Sequence, residues 1–129
     1  DAAFTLRSRS NSPPAALTTL NETVFVEAAQ ALALRTLREG GSDDAARLDY
    51  AFRLCTSRRP AAEERSVLLQ LLDGRRERLK RGELKAAPIA FAPTTKAAEV
   101  PADVTPNEVA AWTIVARVLL NLDETVAKN

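Results

Sequence analysis

"TPNEVAAWTIVARVLLNLDE", residues 105–124, is the stretch on which the fold turns. It opens with a strong helix start: Thr105 stands at the N-cap, Pro106 occupies the first helical position, and Glu108 is spaced to reach back as a capping box. From Val109 to Leu122 the only charge is Arg117. A helix apolar around most of its girth belongs at the centre of a bundle, so the remaining helices are expected to pack around this one. Trp112, Ala116, Leu119 and Leu120 share its core face, whereas Arg117, Asn121 and Glu124 gather on a polar strip. The core position of Trp112 favours packing over a sugar-stacking role.

Outward from this element, four more segments carry helical periodicity. Ser12 and Pro13-Pro14 introduce a short one that ends near Asn21. Asn21 then caps "ETVFVEAAQALALRTLRE", which stops at Gly40-Gly41, where a left-handed residue is needed. Its wheel places Phe25, Ala28, Ala29 and Leu32 on one face and leaves Leu34 on the polar side. Ser42 is expected to cap a helix through "DDAARLDYAFRLCTS", with Ala45, Leu48, Phe52 and Cys55 as its buried stripe. Pro60 begins the next helix, which takes its apolar face from "SVLLQLL" and runs to about Arg81 before Gly82. Residues 82–105 show no helical period and read as a long irregular connection, pinned by Ile89 and Phe91. The expectation is an all-α, single-domain bundle of about five helices over residues 1–129, with that connection before the last, central helix.

Composition bounds the chemistry. The 129 residues suit one core, and 18 basic against 17 acidic side chains leave a net charge of +1, too little for a global field that recruits nucleic acid or membrane. With no histidine and one cysteine, the usual zinc, copper and c-type haem ligand sets cannot be assembled within the chain. Neither can an internal disulfide or a Ser-His or Cys-His nucleophile. No apolar run reaches the ~18 to 20 residues of a membrane span. A chain with no methionine, even at position 1, reads as part of a longer polypeptide.

Two places carry candidate site residues. The basic run Arg75, Arg76, Arg78, Lys80 and Arg81, within residues 75–85, is a possible anion patch, but cations at a helix C-terminus also stabilise the helix itself. No aromatic is interleaved for base stacking, so nucleic-acid binding ranks last. The second place is Asp123, a carboxylate on the apolar face near a helix C-terminus, opposed by both desolvation and the helix dipole. Either the last turn frays and wets it, or a partner is supplied from the opening stretch by Arg9 or the Ser10-Asn11 backbone. Adjacent Glu124 points about 100° away around the helix, which disfavours a paired-carboxylate hydrolase.

Three separated segments, "RSNSPPAALTTLNETVFVEAAQALA" (9–33), "AFRLCTSRRPAAEE" (51–64) and "AAWTIVARVLLNLDETV" (110–126), together resemble the C-terminal part of a planctomycete-specific domain of unknown function. In that family the domain closes large exported proteins, which often also carry a cytochrome-c-like domain. Arg9, Ser10, Asn11, Pro13, Ala16 and Leu17 match its opening motif, whereas Ala61 replaces a helix-capping threonine. The resemblance implies an extracytoplasmic or periplasmic parent. The expected function is a helical structural or interaction module without catalysis, cofactor or metal, whose partners are other domains of the parent or another protein. The alternative is an accessory part of an extracytoplasmic enzyme or carbohydrate-binding assembly whose catalytic residues lie upstream.

Overall fold

The computed structural model describes the backbone of residues 22–128 and the side chains of residues 22–122. The helix expected after Ser12 therefore lies outside the described residues. Those residues form α1 (Glu22–Glu39), α2 (Asp44–Thr56), α3 (Ala62–Lys80), the short α4 (Ala86–Ala90), a 3-10 turn (Ala97–Glu99) and α5 (Pro106–Lys128). The architecture is an all-α bundle with α5 at its centre, where α1, α2, α3 and α4 all pack against it. That placement follows from composition: Val109, Ala110, Ala111, Trp112, Val115, Ala116 and Leu119 are each at most 2% exposed. A single core cluster joins all of these except Ala116 to Leu48 and Phe52 of α2 and Leu68 and Leu72 of α3.

The face of α1 differs from the sequence reading. Ala29, Gln30, Ala33, Leu34, Thr36 and Leu37 are buried, while Ala28 is exposed and Phe25 and Leu32 are half-buried. The buried arc is turned by roughly one residue's rotation, about 100°. Leu34 is thus a core residue, only 4% exposed. The physical reason is the weight given to small side chains. Ala29 and Ala33 mark the side nearest the core, and the larger Phe25 is left at the rim with the Arg117 guanidinium 6.0 Å from its ring centroid.

Helix ends follow local chemistry, with two revisions. Asp43, not Ser42, caps α2, its carboxylate accepting from the Ala46 N–H at 2.8 Å; Ala45 in the first turn is exposed. The α1–α2 corner needs both glycines: Gly41 has φ +106°, and a Cβ on Gly40 would lie 2.6 Å from the Thr36 carbonyl oxygen. At the start of α5 the Glu108 N–H donates to Thr105 Oγ1 at 3.2 Å, but the Glu108 carboxylate turns to another helix instead of completing a capping box. The 82–105 connection is also less irregular than its sequence suggests. Ala90 is fully buried, and Ile89 and Phe91 pack against the core, so the segment is fixed by contacts with no helical period to announce them.

Helix α3 starts at Ala62 after Pro60, and Ala61 at its N-cap has no side chain able to accept a hydrogen bond. Glu64 supplies half of the cap, accepting from the Ala61 N–H at 2.8 Å and from both terminal nitrogens of Arg58 at 2.8 and 2.9 Å. Ala61→Ser restores the missing acceptor and is expected to stabilise the protein by about 1 kcal/mol. Urea unfolding would read this as a higher midpoint at an unchanged slope.

Candidate functional site

The basic run of α3 does not present its five cations alike. Arg76 turns inward across the ends of three helices. Its Nη1 and Nη2 donate to Asp44 of α2 at 2.7 and 2.9 Å, and its Nε and Nη2 donate to Glu108 of α5, the former at 3.1 Å. Asp73, one turn back on α3, lies 3.4 Å from Nη1. Both paired carboxylates and the guanidinium are partly buried, which strengthens the charge-assisted fork. The hydrogen bonds to Asp44 and Glu108 raise the Arg76 pKa, and the same fork holds the Asp44 carboxyl below its ordinary range against a desolvation that opposes this.

The neighbouring cations serve the end of α3. Arg81 donates to Glu83 at 2.8 Å and lies 3.8 Å from Glu77, while Arg78 donates to Glu83 at 3.3 Å. Arg75 and Lys80 have no ion pair among the described residues; Arg75 is half-buried and Lys80 exposed. The Arg76 guanidinium is thus engaged by carboxylates from α2, α3 and α5. Its evident work is to clamp α2, α3 and α5.

Trp112 is 1% exposed, so its ring offers no platform to a sugar, and its buried indole N–H lacks a hydrogen-bond partner among the described residues. Cys55, 8% exposed, lies with the core cluster as its stripe implied. Arg9, Ser10, Asn11 and the side chain of Asp123 lie outside the described residues. Among the described residues no group of three acidic or cysteine side chains is placed to hold a metal ion, and no helix is long and apolar enough to cross a membrane.

Two surface features went unread in the sequence. The first is an apolar hollow of about 300 Å³ where α1, α2 and α5 meet, lined by Ala31, Leu32, Arg35, Leu54, Cys55 and Leu120. Leu54 is 43% exposed there. Next to it, Arg35, Glu39 and Tyr50 form a polar trio: the Tyr50 hydroxyl donates to Glu39 at 2.6 Å, and Arg35 Nε reaches Tyr50 at 3.0 Å and Glu39 at 3.1 Å. The Tyr50 and Arg35 bonds hold the Glu39 carboxyl below its ordinary range. The second feature is a groove between α1 and the α4–α5 connection, with Gln30 of α1 lining both of its halves. Helical periodicity reports neither, since both depend on how separate segments meet.

A family model described as PSD1, protein of unknown function (DUF1553), matches residues 1–72, a span that ends within α3. No curated protein and no solved structure matches the chain.

Proposed function

Since the chain belongs to the DUF1553 family of unknown function, we propose that it is a helical docking module of a larger exported protein. The observation that carries this reading is the hollow at Leu54: an apolar depression shared by three helices, edged by the ordered Arg35–Glu39–Tyr50 trio. Apolar centres with polar rims are the anatomy of protein contact sites, where a few centrally buried residues contribute most of the binding energy. The polar side chains of the Arg76 cluster support the same reading, because they tie helices together instead of facing a cleft. The partner would be another domain of the parent chain or a separate protein. The likeness to planctomycete-specific domains of exported proteins favours an extracytoplasmic setting, with any haem carried by a cytochrome-c-like domain elsewhere in the parent.

Calorimetry of this chain against the separately expressed upstream segment of its parent should give saturable heat. Leu54→Glu should weaken that binding by about a hundredfold, the loss expected when a charge enters an apolar anchor site, while leaving the helical circular dichroism unchanged. No heat from the wild-type pair would sink the docking reading. A signal on a glycan array from this chain alone would instead favour the carbohydrate-binding alternative.

A further inference from the structure

The groove between α1 and the α4–α5 connection holds a buried acceptor left unpaired among the described residues. Gln30 is 4% exposed; its Nε2 donates to the Ile89 carbonyl at 3.1 Å, which fixes the amide, and its Oε1 has no hydrogen-bond partner among the described residues. A buried amide oxygen left unpaired is costly, and such groups mark places where a further donor is accommodated. The space around Gln30 comprises two adjoining cavities of about 210 and 270 Å³, which share Glu27, Gln30 and Ala92.

Charge selects the kind of donor. Glu22, Glu27 and Glu99 line the groove against one cation, Arg38, whose Nη1 is already engaged by the Glu99 carbonyl at 3.1 Å. Glu22 and Glu27 have no ion pair among the described residues, and Glu27 lies one helical turn from Gln30. The cavity beyond them is walled by Val26, Pro88, Phe91 and Pro93, a lining suited to methylene groups. We infer that this groove binds a primary alkylammonium group on an aliphatic stem: Gln30 Oε1 and the Glu27 carboxylate accept from the ammonium, and the stem lies against Val26 and Phe91. Gln30 Oε1 is shielded from solvent, so binding would require the neighbouring Ala92–Thr95 turn, which lines the groove, to move aside. That turn is closed by only two bonds of its own, from Thr95 N–H to the Ala92 carbonyl at 3.0 Å and from Ala92 N–H to Thr95 Oγ1 at 2.9 Å. This inference stands apart from the docking reading, since the groove does not include Leu54.

The test titrates the whole chain at low salt with 1,5-diaminopentane, with lysine blocked at its backbone amine and carboxyl, and with tetramethylammonium, following amide shifts by NMR. Saturable shifts at Gln30 and Phe91 with the first two and none with the third are expected, because only a primary ammonium donates hydrogen bonds. Response to the blocked lysine alone would assign the source as a protein side chain; response to both admits a free diamine. Glu27→Gln, at an exposed position that leaves the core intact, should weaken binding about tenfold by removing one charge-assisted bond. Gln30→Ala should weaken it as well, with circular dichroism checking that the helices persist. Absence of saturable shifts, equal response to tetramethylammonium, or unaltered binding by Glu27→Gln would each overturn the assignment.

Discussion

Trp112→Ala is expected to destabilise the protein by about 3–5 kcal/mol, the range for truncating a fully buried large aromatic. Trp112 is the largest fully buried side chain and sits on the helix that every other α-helix described here touches. Its removal would leave a cavity lined by several elements at once, which local relaxation cannot close. Set against a typical stability of about 5–15 kcal/mol, such a loss brings the domain close to unfolding at physiological temperature. Trp112→Phe separates the two contributions of the indole. It keeps an aromatic ring in place and deletes an N–H that has no partner among the described residues, so lost contacts are partly offset by relief of a desolvation cost of about 1–3 kcal/mol. The phenylalanine variant is therefore expected within about 1.5 kcal/mol of wild type. Urea unfolding followed by far-UV circular dichroism measures both; an alanine variant as stable as the phenylalanine one would contradict the central placement of α5.

How much of this was legible in the sequence depends on whether a signal was local. The start of α5, the end of α1 at Gly40-Gly41 and the stop of α3 before Gly82 are written in caps and breakers, and these features stand where their chemistry puts them. The phase of α1 was not, because Ala29 and Ala33 carry little hydrophobic weight on a wheel although small residues allow the closest approach to α5. Helix α4 was missed for a related reason: five residues cannot show a 3.6-residue period, and Ala90 is ordered by burial. Among the site residues, periodicity could mark 75–85 as basic but not single out Arg76. Its partners, Asp44 and Glu108, each stand 32 positions away, and Glu108 already had a plausible local task in a capping box. Long-range ion pairs of this kind become visible only once the helices are docked.

Arg76→Ala is expected to cost about 2–4 kcal/mol, somewhat less than the about 3–5 kcal/mol for breaking a fully buried ion pair, because the guanidinium keeps 28% of its surface in solvent. Two mechanisms add. The bridging hydrogen bonds among α2, α3 and α5 are lost, and Asp44 and Glu108 are left near one another without the cation that neutralised both. Arg76→Lys retains the charge but not the planar fork, so it should recover only part of the loss. The pH dependence identifies the electrostatic share. In the folded state Arg76 holds the Asp44 carboxyl below its ordinary value, so folding favours the ionised form. The resulting stabilisation is fully present above the unfolded-state pKa, about 3.9, and is lost as pH falls through the lower folded-state value. Arg76 itself stays protonated in both states and adds no slope of its own. Wild type should therefore lose stability on acidification below about pH 4 more steeply than Arg76→Ala, whose Asp44 has lost the cation that depressed it. Chemical unfolding of the two proteins from pH 7 to pH 3 should show their difference shrinking with acid. A difference constant across that range would assign the cost to lost packing of the arginine stem and remove the ionic clamp from the account of what holds α2, α3 and α5 together.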